Sequence, residues 1–146
     1  MHIPLPGRAH AARLSFALAG TVLALAGCSW PAAPAGAPVT PKFLFDQQFS
    51  GSGGPYLVTI DRETYPPGFT SGWHTHPGPG SLCLLQGQVR IDVRGQPSVT
   101  LQPGQCWTEP PGVAHRPTNP AGTPAVCLFY LFAPADQPRL QPAPSS

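Results

Sequence analysis

Proline and glycine interrupt the chain about every dozen residues after residue 41, and this spacing limits which secondary structure can form. No helical pattern of apolar residues extends through the interruptions, whereas short apolar or alternating runs lie between them. These runs predict strands at residues 43–49, 56–65, 81–85, 88–94, 98–101, 105–108 and 125–132. Evenly spaced short strands favour an all-β fold in one domain, either a sandwich or a jelly-roll β-barrel.

Two of the predicted strands differ in the arrangement of their apolar residues. Val89, Ile91 and Val93 alternate with charged residues, so we expect these three side chains to point into the core. Residues 126–132 are almost all apolar, which is typical of a strand covered on both faces. Residues 42–133 are therefore assigned to the folded domain. Residues 134–146 form a proline-rich tail that we expect to be disordered.

The first 28 residues have the order of an export signal. Arg8 and Arg13 precede an apolar run at residues 14–26, which is shorter than a membrane-spanning helix needs to be. The sequence Leu-Ala-Gly-Cys that ends at Cys28 resembles the bacterial lipobox, which implies cleavage before Cys28 and attachment of lipid to its sulfur. A plain secretory signal that contains a cysteine is the alternative.

This interpretation divides the N-terminal part of the chain into two segments. Residues 1–27 are predicted to be a signal peptide, and residues 28–41 a lipidated cysteine followed by a Pro/Ala-rich tether. The folded domain would then be an exported lipoprotein of the cell envelope, anchored to a membrane on its periplasmic or extracellular face.

The charge distribution disfavours nucleic acid as a partner. Of the eight Lys and Arg residues, Arg8 and Arg13 belong to the leader, and the remaining six balance the six Asp and Glu residues. A domain without net positive charge lacks the electrostatic attraction that phosphate backbones require.

Three cysteines follow Cys28, so at least one of them has no partner among the others. Cys83, Cys106 and Cys127 each lie in an apolar run. An exported protein could pair two of them, and the sequence does not determine which. Their surroundings favour the alternative, in which all three are buried as small apolar side chains.

The histidines outside the leader form one spaced pattern. His2 and His10 precede the tether, which leaves His74, His76 and His115. His74 and His76 are two residues apart, so on a strand both imidazoles would point to the same face. A turn before His115 could return a third imidazole to that face. Neutral imidazoles bind divalent iron, zinc, copper and nickel, so the pattern predicts a metal site.

Both histidine segments also resemble the two sequence motifs of the cupin superfamily. Residues 68–87 match the pattern G-x5-H-x-H-x3-E-x6-G, except that the glutamate position is Gly80. Residues 104–119 match G-x5-P-x-G-x2-H-x3-N at every specified position. The resemblance extends over residues 56–131 and implies a small single-domain cupin, with a jelly-roll β-barrel around a metal.

The resemblance implies that His74, His76 and His115 hold a divalent metal, with iron favoured over manganese, zinc, nickel or copper. The acid that completes the ligand set in the family is missing at Gly80. Its loss would leave an extra open coordination position, or a site too weak to hold metal. Glu109 is a candidate replacement whose direction depends on an unknown strand register; the alternative is a solvated charge at a strand end.

Two functions are compatible with this pattern. The first is a membrane-tethered cupin that acts on a small molecule as a metal-dependent enzyme, either an iron-dependent dioxygenase or an isomerase. Three neutral imidazoles resemble the iron sites of thiol and diketone cupin dioxygenases. The second is a non-catalytic module of the cell envelope that binds a ligand or a metal. The resemblance is also compatible with a homodimer.

No catalytic residue can be assigned from the sequence. Outside the histidines, the candidates for acid–base chemistry are Glu109, Tyr65 and Tyr130, and no second carboxylate is evident as a partner for Glu109.

Overall fold

The structure is a computed structural model that describes residue 39 and residues 41–143, so the predicted signal peptide and Cys28 lie outside it. The described part contains ten strands and no helix: β1 (Lys42–Gly51), β2 (Gly54–Tyr65), β3 (His74–Thr75), β4 (Gly80–Gln86), β5 (Val89–Val93), β6 (Val99–Leu101), β7 (Cys106–Glu109), β8 (His115–Thr118), β9 (Ala125–Pro134) and β10 (Gln141–Pro142). All seven predicted strands are present. The three that the sequence did not predict are the short strands β3, β8 and β10. Within the described residues no helix is long and apolar enough to cross a membrane.

The strands form two five-stranded antiparallel sheets. One has the order β1-β2-β9-β4-β7 and the other the order β10-β3-β8-β5-β6. Consecutive strands alternate between the sheets at several points, so the connections cross from one layer to the other. The turns use glycine where the backbone must adopt a positive φ, as at Gly87 (φ 84°) and Gly112 (φ 70°).

The apolar core lies between the two sheets. Val89 and Ile91 are fully buried and Val93 is 5% exposed, so the predicted inward face of β5 is confirmed. Leu82 and Leu84 of β4 face these residues from the other sheet as members of the same cluster. Each such side chain contributes about 1.5–3 kcal/mol to folding when it leaves water.

The second half of β9 is exposed on one face, contrary to the expectation that both faces are covered. Leu131 is 2% exposed, but Tyr130 and Phe132 are 36% and 48% exposed. The ring of Phe132 packs instead on Tyr56 of the adjacent β2, with the ring centroids 4.5 Å apart. The apolar run therefore reflects an aromatic stack on the outer surface of the sheet rather than a second covering layer.

The expectation that all three cysteines are unpaired is wrong for two of them. Cys83 and Cys106 are directly opposite each other on β4 and β7 and form a disulfide. Cys127 is buried and free, and burial raises the pKa of its thiol to about 12. The pairing was not evident because it depends on the register between two strands that are not consecutive in the chain.

The structure describes the C-terminal segment through residue 143, and this segment, predicted from the sequence to be a disordered tail at residues 134–146, contains strand β10. Strand β10 pairs with β3, and the backbone N–H of Ala143 donates to the carbonyl of Trp73 at 3.0 Å. Without β10, one side of β3 would present unpaired backbone groups. Residues 144–146 lie outside the described part of the chain.

Candidate metal centre

The short strands β3 and β8 bring the three histidines together. His74 and His115 are directly opposite each other in the β3–β8 pair, and His76 follows His74 by two residues. Each ring offers one nitrogen that lies within 4.8 Å of the corresponding nitrogens of the other two, and all three residues are buried. The convergence expected from the spacing is therefore present in the fold.

A backbone carbonyl fixes the proton on each of the three rings. Nδ1 of His74 donates to the carbonyl of Gly72 at 2.8 Å, and Nδ1 of His115 donates to that of Val113 at 2.9 Å. Nδ1 of His76 donates to the carbonyl of Arg139 at 2.6 Å. Because Nδ1 holds the hydrogen in each neutral ring, Nε2 carries the free lone pair.

Burial keeps these imidazoles neutral. Desolvation lowers the pKa of His74, and it lowers the pKa of both His76 and His115 to about 4, although the carbonyl hydrogen bonds act in the opposite direction. At neutral pH the cluster therefore offers three lone pairs and no positive charge. This is the protonation state in which imidazole binds metals.

Glu109 points into the histidine cluster and is 2% exposed. Its Oε2 lies 3.2 Å from Nε2 of His76, and its Oε1 lies 3.8 Å from Nε2 of His115. Burial, and secondarily the charge of Glu63, raises the pKa of Glu109 to about 8. The alternative of a solvated charge at a strand end is therefore wrong.

A cavity of about 270 Å³ adjoins the histidines, and its lining is mainly apolar. The apolar side chains in its wall include Val39, Phe69, Pro117, Phe129 and Leu140. Strand β2 contributes the polar part of the wall through Asp61, Glu63 and Tyr65. These three residues alternate along the strand and so share one face. Their alternation was visible in the sequence, but the face that they occupy was not.

A second carboxylate does accompany Glu109, contrary to what the sequence suggested. Glu63 lines the same cavity and accepts a hydrogen bond from the hydroxyl of Tyr65 at 2.6 Å. Burial raises the pKa of Glu63 and also that of Tyr65. Tyr130, the other tyrosine considered, points to the outer surface and does not line the cavity.

The C-terminal segment contributes Arg139 and Leu140 to the wall of the cavity. The guanidinium of Arg139 donates to the carboxylate of Asp61, and it also lies over the ring of Phe43 with 5.0 Å to the ring centroid. The same residue holds the ring of His76 through its carbonyl. Arg139 therefore connects the segment to both the polar wall and the histidine cluster.

The two sheets and the enclosed imidazole cluster define a double-stranded β-helix protein with a candidate metal centre. Residues 61–131 match the family model described as a cupin domain. No curated protein matches the chain in sequence.

Solved structures show the same fold at low sequence identity. A protein with a double-stranded β-helix domain from Klebsiella pneumoniae has 16% identity and a TM-score of 0.60, over 77% of this chain and 90% of that one. A cupin domain from Bordetella pertussis has 24% identity and a TM-score of 0.50, over 64% of this chain and 92% of that one. An oxalate oxidase has 22% identity and a TM-score of 0.51, over 58% of this chain and 45% of that one.

Residues 61–131 are thus similar to a cupin domain, and the solved structures share the fold of this chain. The predicted all-β jelly-roll fold is confirmed. At these identities the solved structures carry no information about the substrate.

Proposed function

We propose that this protein is a membrane-tethered cupin that binds one divalent transition metal through His74, His76 and His115. The metal would act together with the adjoining cavity on a small molecule, and we favour an iron-dependent dioxygenase. The observation that supports the metal site most directly is the orientation of the rings. All three Nδ1 protons are held by backbone carbonyls, so all three Nε2 lone pairs remain available within one buried cluster.

The buried atoms of the cluster fit a bound cation. Nε2 of His115 has no hydrogen-bond partner among the described residues, and neither has Oε2 of Glu109. Leaving a buried polar atom unsatisfied costs about 1–3 kcal/mol, which a metal–ligand bond would offset. A bound divalent ion supplies Lewis acidity, and iron adds redox chemistry.

The cavity supports a small and largely apolar ligand. Its apolar wall would exclude water from the ligand, while Asp61, Glu63 and Glu109 bring three carboxyl groups against the one guanidinium of Arg139. A charged ligand would be costly to bury against the apolar wall. We therefore propose a neutral ligand such as a diketone, a phenol or a small thiol.

Metal content tests the proposed site. We expect the protein purified without residues 1–28 to hold about one transition-metal ion per chain, because three imidazoles form a site for a single ion. His76→Ala should lose most of this metal in elemental analysis, with circular dichroism to show that the variant is folded. Equal metal content in wild type and variant would contradict the proposal.

Oxygen consumption separates an enzyme from a binding module. Iron-loaded protein would be mixed with diketones, phenols and small thiols, and oxygen uptake would be followed beside metal-free protein and His76→Ala. Uptake with one of these classes that requires both iron and His76 supports a dioxygenase. Binding without uptake across the panel would favour the non-catalytic module.

The membrane tether is a separate part of the proposal. The Cys83–Cys106 disulfide supports it, since such bonds persist in oxidising compartments outside the cytosol. Replacement of Cys28 by Ala in the full chain should move the protein from the membrane fraction to the soluble fraction. Unchanged fractionation would contradict lipid attachment at this residue.

A further inference from the structure

Gly80 and Glu109 lie on neighbouring strands beside the histidine cluster. They are directly opposite each other in the β4–β7 pair. A Cβ atom placed on Gly80 would lie 3.0 Å from Oε2 of Glu109, which is closer than ordinary van der Waals contact. The carboxylate of Glu109 therefore lies beside the backbone position from which the motif glutamate would extend.

The contact between Glu109 and His76 also requires a hydrogen atom or a metal ion between the two atoms. Nδ1 of His76 carries the hydrogen, so Nε2 presents a lone pair to Oε2 of Glu109 at 3.2 Å. Two lone pairs at this distance repel each other unless a proton or a metal ion lies between them. Nε2 of His115 faces Oε1 of the same carboxylate at 3.8 Å. A single cation in the cluster would satisfy these atoms together.

We propose that Glu109 is the fourth metal ligand, so that the acid missing at Gly80 is supplied from the adjacent strand. The absence of a side chain at Gly80 leaves the space that the Glu109 carboxylate occupies. This inference rests on the proposed histidine site. It gives the site three nitrogen ligands and one anionic oxygen ligand. The position that the sequence left open is then filled by the protein itself, and one charge of the divalent ion is neutralised.

Metal affinity of Glu109→Gln tests the ligand role. Cobalt and zinc dissociation constants would be measured by chelator competition for wild type, Glu109→Gln, Glu63→Gln and His76→Ala. We expect Glu109→Gln to weaken binding about tenfold or more, since even changes next to a ligand cost roughly ten- to a hundredfold. Glu63→Gln removes the same charge from the same cavity without touching the histidines, so it should change the affinity much less.

The conservative variant Glu109→Asp separates coordination from a general effect of charge. It keeps the carboxylate but shortens the side chain, so a ligand role predicts a loss of affinity and a changed visible spectrum of the cobalt-loaded protein. Wild-type affinity in either Glu109 variant would overturn the inference, as would equal weakening in Glu109→Gln and Glu63→Gln. If His76→Ala also binds metal as wild type does, the proposed function itself fails rather than this inference alone.

Gly80→Ala tests whether the two positions share space. The added methyl group would press on Oε2 of Glu109 and should weaken metal binding severalfold in the wild-type background. In the Glu109→Gln background it should have little further effect, because no ligand remains to be displaced. Equal weakening in both backgrounds would attribute the effect to the carbonyl of Tyr130, which is also 3.0 Å from the added atom, and would overturn the claim about space.

Discussion

Strands β2 and β5 have the same alternating geometry but bury opposite kinds of side chain. Strand β5 turns Val89, Ile91 and Val93 inward, and all three join the apolar core. Strand β2 turns Asp61, Glu63 and Tyr65 towards the cavity beside the histidines. Burial of apolar surface stabilises the fold, whereas burial of polar groups does so only when each finds a partner. The barrel thus has one strand that supplies stability and another that gives up stability to provide a polar wall.

The largest expected change in stability comes from a substitution in the apolar face of β5. Ile91→Ala should lower the free energy of unfolding by about 2–5 kcal/mol, because it leaves a cavity in a close-packed core. Urea unfolding of the metal-free protein measures this loss. Val99→Ala is the matched control, since Val99 lies directly opposite Ile91 on β6 but is 37% exposed. Equal losses of unfolding free energy in the two variants would contradict the assignment of Ile91 to the apolar core.

A smaller change in stability is expected on the outer face of β5, where Asp92 forms ion pairs with Arg90 and Arg116. A hydrogen bond from Arg116, followed in importance by one from Ser98, lowers the pKa of Asp92 from 3.8 to about 2. Because the folded-state pKa is below the ordinary value, this stabilisation is present above about pH 4 and is lost as the pH falls towards 2.

Asp92→Asn should therefore destabilise the protein by about 1–2 kcal/mol at pH 7 and by much less near pH 2. Unfolding free energies of both proteins across this range measure the difference. A difference that does not change with pH would show that the charge of Asp92 is not responsible.

The smallest expected change is an increase in stability, and it comes from a substitution on the polar face of β2. Thr59 of β2 is fully buried, and its hydroxyl has no hydrogen-bond partner among the described residues. Thr59→Val should raise the free energy of unfolding by about 1 kcal/mol, because it removes an unsatisfied polar group without a change of shape.

Thr118→Val provides the comparison for Thr59→Val. Thr118 is also buried, but its hydroxyl donates to the carbonyl of Arg90 at 3.2 Å, so the same substitution should destabilise by about 1 kcal/mol. Thermal unfolding of the two variants in parallel would reveal the opposite shifts. Destabilisation by Thr59→Val would show that the Thr59 hydroxyl does have a hydrogen-bond partner in the folded protein.

The contrast between these strands also explains what the sequence could predict. The spacing of proline and glycine was enough to locate the seven predicted strands, because turns depend on local backbone preferences. The histidine cluster followed from the period of a strand together with the resemblance to cupins. Both features depend on residues that are close in sequence or belong to a motif.

The polar wall could not be predicted from the same rules. In β2 the apolar residues Val58 and Ile60 alternate with Asp61 and Glu63, so a hydrophobic pattern places the wrong face inward. The direction of Glu109 depends on the pairing of β7 with β4, which no local signal specifies.

The remaining errors have a related cause. The Cys83–Cys106 bond depends on the same β4–β7 register, and the position of strand β10 depends on its pairing with β3. Long-range pairing decided each of these features.

The hydrogen bond between Arg139 and His76 makes the order of synthesis relevant to the histidine cluster. The two residues are 63 positions apart, so the ring of His76 cannot be fixed until the ribosome has added Arg139. An emerging chain can pair β3 with β8 earlier, but its imidazoles are then incompletely oriented. An ion that enters the finished cluster is therefore drawn from the compartment in which the whole chain folds. For an exported chain, that compartment lies beyond the cytosolic metal pool.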